Sequence, residues 1–459
     1  MTDRNLCLKT GAELTAAAPE PRPVTLFSAT VIVVANMIGT GIFTTLGLQV
    51  DILHSPFPVL LLWVLGGLGA FCGALCYGEL GAMMPRSGGE YTYLSRIYHP
   101  AVGFLSGWVS IVAGFAAPIA LAAIALGAYG GAIFPGLNQT AIAVLAIVIL
   151  SIIHLTDVRF GCHFQNFFTV GKILIILCLI VLGFFIAEPQ PVPLWPTPSD
   201  IASVFSPAFA ISLVYVFFAY SGWNASSYIA GEIPHPERNL PLSLFIGAVL
   251  VSLCYVLINY VFLYTVPLPD LAGKIDVGYL SARAIFGGRG GTVMTLLICV
   301  ALISSLSSLV MVGPRVTQVM GEDLKFGKFL ARKSQRGAPV FAIIFQSSVA
   351  IFLTLTSTFN SVLTYVGFTL ALFACMTVLG VFILRLRHPR APRPFKTWGY
   401  PVTPVIFLLL YGWMLCYLFI ERPLPSVCGL LTVASGLLLY KLLGASGSSL
   451  HQAPKNSSS

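Results

Sequence analysis

A helix needs about 20 apolar residues to cross the hydrocarbon core of a bilayer. This chain carries about twelve such runs, over residues 25–50, 57–83, 98–130, 139–154, 164–187, 203–231, 241–265, 292–313, 339–357, 361–385, 402–420 and 424–443. In lipid every backbone N–H and C=O must find its partner inside the protein, which leaves only helices and closed barrels. Runs of this length select helices. Of the 459 residues 57% are hydrophobic and only 9% are charged, far below the roughly 25% charged of a soluble domain. The fold class expected is an all-α polytopic membrane protein with 12 transmembrane helices.

The first 24 residues are polar and end in PEPRP. They read as a cytoplasmic tail, because a signal peptide has a short apolar core followed by small residues at a cleavage site. GASGSSLHQAPKNSSS, residues 444–459, reads as a second, disordered cytoplasmic tail. Of the 25 Lys and Arg residues, 20 then fall on the side of the N-terminus and 4 on the other, with Lys172 alone inside a span. That bias obeys the positive-inside rule and places both termini in the cytoplasm, with the protein in a plasma (inner) membrane. The net charge of +9 is thus a topology signal, and no nucleic-acid partner is expected. Asn138 opens an N-x-T sequon beside an outer span end, read as a coincidental match. The ten cysteines lie mostly within spans, and no Cys/His spacing suggests a metal. No P-loop, HExxH or GxSxG motif is present, so neither an enzyme nor a cofactor is expected.

Two spans contain an irregularity of the same kind. ANMIGTGIF, residues 35–43, sets Gly39 and Gly41 around Thr40 in the first run, and FFAYSGWNASSYIAGEIP, residues 217–234, sets Ser221, Gly222 and Asn224 in the sixth. Each alone is equally compatible with a small-residue packing notch. Together, five spans apart, they fit a transporter of two inverted five-helix repeats whose first helices are broken at mid-membrane. The boundaries that follow are a first repeat over 25–187, a second over 201–386, and two further helices over 402–443.

A broken helix frees backbone groups to act as ligands. After Gly39, Thr40 and Gly41, a half-helix beginning near Ile42 offers free N–H groups and a positive dipole end to a carboxylate. Carbonyls from Phe218 to Ser221 offer a negative end to an ammonium. A site with two poles and almost no charged side chains suits a zwitterion such as a free amino acid. Lys172 lies about nine residues into the fifth run, where an unpaired ammonium costs at least a few kcal/mol. Either it snorkels to the headgroups, or it rests against the freed carbonyls of the first helix in place of a bound sodium ion. Ser304, Ser305, Ser307 and Ser308 in the eighth run are its candidate partners. Glu79 and Glu90, flanking PRSGGEY, read as interface ion-pair formers rather than proton carriers, and Glu232 with Arg238 as a candidate gating pair.

GTGIF, PRSGGEYTYL, FAYSGWN with GEIPHPERNLP, and GPRV together resemble the amino acid/polyamine/organocation superfamily, in particular its L-type amino acid transporters and their bacterial relatives. The resemblance runs from about residue 24 to 445. It implies the leucine-transporter fold, with a 5+5 inverted repeat and broken helices 1 and 6. It further implies that Thr40, Gly41 and Ile42, in the Gly39 break, hold a substrate carboxylate, and that the carbonyls of Met37, Phe218 and Ser221 hold the α-amino group. Phe218 falls at the outer gate, Asn224 beside the substrate, and Lys172 at the lysine of sodium-independent members, with Ser305 as its partner. Ser221 replaces the glycine of large-substrate members and narrows the pocket. The expected function is sodium-independent transport of small to medium neutral L-amino acids, by exchange or with protons. The alternatives are a cationic amino acid or polyamine antiporter, disfavoured by the want of an obvious acidic pocket residue, and a non-transporting sensor.

Overall fold

The computed structural model describes residues 24–134, 136–156, 158–323 and 339–442, with the side chains of 156–168 outside the description. Both expected tails, apart from Val24, lie outside the described residues. The described residues form helices joined by loops and contain no strand. In order they form α1 (Leu26–Met37), α2 (Gly41–Leu53), α3 (Pro56–Met83), α4 (Glu90–Ile97), α5 (Pro100–Val109), a π-helical turn (Ser110–Ala116), α6 (Ala117–Ile133), α7 (Gln139–Thr156), α8 (Val158–Ile186), α9 (Pro198–Val204) and α10 (Pro207–Tyr220). A 3₁₀ stretch (Ala225–Glu232) follows, then α11 (Pro236–Thr265), α12 (Leu268–Leu271), α13 (Val277–Asp323), α14 (Val340–Thr356), α15 (Phe359–Arg387), α16 (Val402–Glu421) and α17 (Pro423–Leu442). Among the described residues, ten helical stretches are long and apolar enough to cross a membrane. Two shorter apolar helices, Gln139–Leu155 and Val340–Thr356, lie where the fourth and ninth runs were expected.

The first and sixth runs are each interrupted, as the glycines suggested. Helix α1 stops at Met37 and α2 starts at Gly41, while α10 stops at Tyr220 and gives way to the 3₁₀ stretch. The two interruptions lie against each other. Gly222 has a φ of +97°, and a Cβ there would stand 2.8 Å from the Asn36 carbonyl carbon, so this turn admits a glycine and little else. Likewise a Cβ on Gly41 would stand 2.5 Å from the Ala219 Cα; α2 and α10 approach backbone to backbone.

Two departures from a regular helix went unexpected. Val277–Asp323 comprises two helices that meet at a kink at Gly287 (φ +69°), and the eighth run belongs to the second of them. In the third run Ser110–Ala116 is π-helical, with the Ala117 N–H reaching Val112 O. Pro118 follows; lacking an N–H, it leaves the carbonyl four residues back, that of Gly114, without its usual donor. Wide turns of this kind recur at functional sites.

The core between α3, α10 and α11 is aromatic. Trp63 and Tyr255 meet edge to face at 5.5 Å between centroids, and Tyr220 lies 4.9 Å from Tyr255. Such pairs contribute about 0.5–1.5 kcal/mol beyond their burial. At one end of the bundle, fully buried Glu79 accepts from Arg385 at 2.6 and 3.0 Å, and the Thr397 amide donates to it at 2.7 Å. Arg393 stands 3.4 Å away.

Candidate functional site

The carbonyls at the end of α1 lose their helical donors at the break, and side chains replace them. Lys172 Nζ donates to Ala35 O and Ile38 O, both at 2.7 Å, and lies 3.4 Å from Ser305 Oγ. An ammonium has three donors, and all three have acceptors here. Ser305 Oγ itself donates toward Ile38 O at 3.0 Å. The Tyr255 hydroxyl donates to Met37 O and lies 3.1 Å from Ala219 O, thereby joining the end of α1 to the end of α10. Leaving such carbonyls unpaired in a dry interior costs about 1–3 kcal/mol each.

The period of α8 explains how Lys172 is aimed inward. Val170, Leu174, Leu177 and Val181 lie on its exposed face, while Thr169, Lys172, Ile176 and Leu179 are buried. Only 1% of Lys172 is exposed, so it does not snorkel. The other serines of the eighth run do not reach it. Ser307 bonds His154 Nε2 at 2.8 Å, and Ser304 Oγ has no partner among the described residues.

On the far side of the break the amides of Thr40, Gly41 and Ile42 donate to no group of the described protein; the next amide, that of Phe43, reaches Thr40 O at 3.0 Å. Thr40 heads α2 without a side-chain cap bond. The three N–H groups thus sit at the positive end of a helix dipole, where an anionic oxygen is favoured.

A small cavity of about 30 Å³ lies at this point, bounded by Met37, Gly39, Thr40, Gly41, Phe218 and Ser221 among others. A second cavity of about 100 Å³ adjoins it, sharing Asn36, Pro118, Phe218, Ser221 and Leu309, and its lining includes Glu90, Asn224 and Tyr228. The two cavities share these walls, are modest in size, and are polar at the helix breaks.

A model of the family described as Amino acid permease matches residues 24–439. The chain belongs to the amino acid permease family. It is similar to the b(0,+)-type amino acid transporter 1 of Homo sapiens, 28% identical over 464 residues that cover 96% of this chain and 93% of the relative. The counterpart from Mus musculus is 29% identical, with 92% and 88% covered. The Large neutral amino acids transporter small subunit 2 of Homo sapiens is 27% identical, with 92% and 80% covered. The resemblance carried by GTGIF and FAYSGWN is borne out. Family and relatives are transporters rather than enzymes, and membership makes this chain a multi-pass membrane protein of amino acid transport.

Within the permease, Met37, Gly39, Thr40, Gly41, Phe218, Ser221 and Ser305 line the smaller cavity, and Asn224 the larger. Ile42 turns its side chain into the core at 0% exposure and offers the site its amide alone. Met37 O is already occupied by Tyr255, and Phe218 O by the Ser221 amide at 3.0 Å. Glu232 pairs with Arg315 at 3.3 Å. No ion pair joins it to Arg238 among the described residues, because α11 begins between them at Pro236 and carries Arg238 into its first turn.

Sequence reasoning missed Tyr255, Asn36 and the π turn with Pro118. The signal for the last was a proline inside an otherwise helical run. Glu79 pairs with arginines as expected, but Glu90 does not. Its Oε1 accepts from Tyr77 OH at 2.5 Å and Asn224 Nδ2 at 3.2 Å, and among the described residues no cation lies within ion-pair distance.

Proposed function

We propose that this permease is a sodium-independent secondary transporter of small to medium neutral L-amino acids, working by alternating access as an exchanger or with protons. The observation that carries the reading is the pairing of Lys172 Nζ with Ala35 O and Ile38 O beside three undonated amides. A fixed cation holds the carbonyls that a sodium ion would otherwise neutralise. The amides of Thr40, Gly41 and Ile42 take the substrate carboxylate, and carbonyls at the two breaks, those of Met37, Phe218 and Ser221, take its ammonium, Met37 and Phe218 in exchange for their present donors. Phe218 closes the site from one side, and Glu232 acts at the gate with Arg315 as its partner. Ser221 limits the side chain to the size of alanine, serine or cysteine.

The same reading places twelve spans in an inverted five-plus-five arrangement, with repeats over 25–187 and 201–386 and helices over 402–443. It sets both termini in the cytoplasm of a cell bounded by this plasma membrane. Support comes from the basic residues of the sequence and from the two interrupted helices five spans apart.

One observation favours a second reading, a carrier for cationic amino acids or polyamines: Glu90 supplies a carboxylate to the larger cavity. Uptake of labelled alanine into proteoliposomes separates the two. Competition by unlabelled alanine, serine and cysteine, without sodium, is the expected result. Competition by arginine or leucine but not by alanine or serine sinks the neutral, small-substrate reading, and a steep dependence on sodium sinks the fixed-cation role of Lys172.

A further inference from the structure

Glu90 is a buried carboxylate that the transport reading leaves without a task. It is 4% exposed and lines the larger cavity beside Asn224. Both hydrogen bonds it accepts fall on Oε1; Oε2 takes none from the described residues. A buried carboxylate without a cation is costly and settles by taking up a positive charge, whether a proton or a ligand's.

The groups that face it are neutral. They are Tyr77 from α3, Tyr93 from its own helix, Asn224 and Tyr228 from the 3₁₀ stretch, and Tyr411 from α16. Helices α13 and α15 wall the cavity with apolar residues such as Leu309, Val312 and Leu370. Glu90 lies in the connection between two candidate spans, Pro56–Met83 and Pro100–Ile133. Burial pushes its carboxyl up to about 7, against the opposing pull of the bonds from Tyr77 and Asn224. It therefore changes charge near neutral pH.

Its position gives that change a mechanical consequence. The α3–α4 connection is tied to the second half of the broken sixth helix at three points. The Gly88 amide donates to Tyr228 O at 3.1 Å, the Gly231 amide to Ser87 Oγ at 3.1 Å, and Asn224 Nδ2 to Glu90 Oε1 at 3.2 Å. Only the third varies in strength with protonation, since a hydrogen bond to a charged carboxylate is about twice as strong as one to a neutral acceptor.

We propose that Glu90 is the proton-binding site through which this permease couples amino acid movement to protons, its charge state setting how firmly the α3–α4 connection grips the broken helix. The proton binds at the undonated Oε2 from one side of the membrane and leaves from the same oxygen to the other. Nothing else is consumed. The proposal rests on the transport reading and adds its coupling group.

The test uses full-length protein in proteoliposomes carrying an internal pH-sensitive dye, with and without a pH gradient. The wild type accumulates labelled alanine when the outside is acidic, and the dye reports acidification that follows substrate. Glu90→Gln loses both the accumulation and the dye signal, while its alanine counterflow no longer varies with pH. Tyr77→Phe removes one donor to the charged form and shifts the midpoint of the pH dependence upward, a change that a packing role does not produce. If Glu90→Gln fails to insert, this shift decides. Wild-type counterflow without pH dependence, the same pH dependence in Glu90→Gln, or an unshifted midpoint in Tyr77→Phe overturns the proposal. So does a Glu90→Gln protein that stays proton-coupled but is no longer inhibited by lysine, which would make Glu90 a receptor for cationic side chains. A wild type with no saturable flux overturns the transport reading itself, and the coupling role with it.

Discussion

The ammonium of Lys172 and the carbonyl of Ile38 meet at 2.7 Å across the gap where the first helix unwinds. Lys172→Ala removes this cation and leaves the Ala35 and Ile38 carbonyls without their strongest donor. The expected outcome is at least about a tenfold loss of amino acid flux, equivalent to about 1.4 kcal/mol, with membrane insertion retained. Reconstituted uptake normalised to inserted protein measures it. Undiminished flux from the variant would remove Lys172 from the mechanism.

The two glycines of GTGIF are expected to respond differently. A Cβ on Gly39 meets only Met37 O, at a comfortable 3.8 Å, whereas one on Gly41 runs into the Ala219 backbone. Gly39→Ala should insert and remain monodisperse in detergent while binding substrate more weakly. Gly41→Ala should lose folded protein, by about 1–3 kcal/mol or more for overpacking. Size-exclusion profiles and thermal unfolding distinguish them; a well-folded Gly41→Ala protein contradicts the close α2–α10 approach.

Tyr255→Phe keeps the aromatic packing on Trp63 and Tyr220 but removes the hydroxyl shared between Met37 O and Ala219 O. A destabilisation of about 0.5–1.5 kcal/mol is expected from the lost hydrogen bond, since Met37 O keeps the Gly39 amide at 2.7 Å. It should appear as a lower unfolding midpoint in detergent, and as slower flux if the two breaks must move together.

Ser221→Gly should widen the smaller cavity next to Phe218. Leucine is then expected to compete for alanine uptake about 10–200-fold better than before, since one small group in an apolar pocket is worth about 1–3 kcal/mol. An unchanged competition profile would mean that Ser221 does not bound the substrate side chain.

The helical character and the two interruptions were legible in the sequence because lipid leaves the backbone so few solutions. Glycine and serine inside an apolar run are conspicuous there, and so is a lone lysine. Tyr255 was not legible: it looks like any tyrosine in a long span, and its acceptor Met37 is 218 positions away in the chain. The two glutamates had equal weight on paper. Arg385 and Arg393 come from the far end of the chain to meet Glu79, whereas no cation among the described residues reaches Glu90; charge alone does not reveal which neighbour arrives. The gating partner of Glu232 was misplaced for the same reason, Arg315 being remote in sequence but near in space.

The wide turn at Ser110–Ala116 has a consequence for how this chain tolerates length changes. It holds one residue more than a regular helix would need, so a single deletion there looks harmless and even corrective. Drawing the same residues into a regular α-helix, by contrast, would rotate everything beyond them by about 100°. Pro118 and Ala122, which now border the smaller cavity, would swing toward neighbouring helices or lipid. The wide turn therefore sets the phase of the whole second half of that span, and a substitution that forces it into the regular α period should be more damaging than removal of its extra residue.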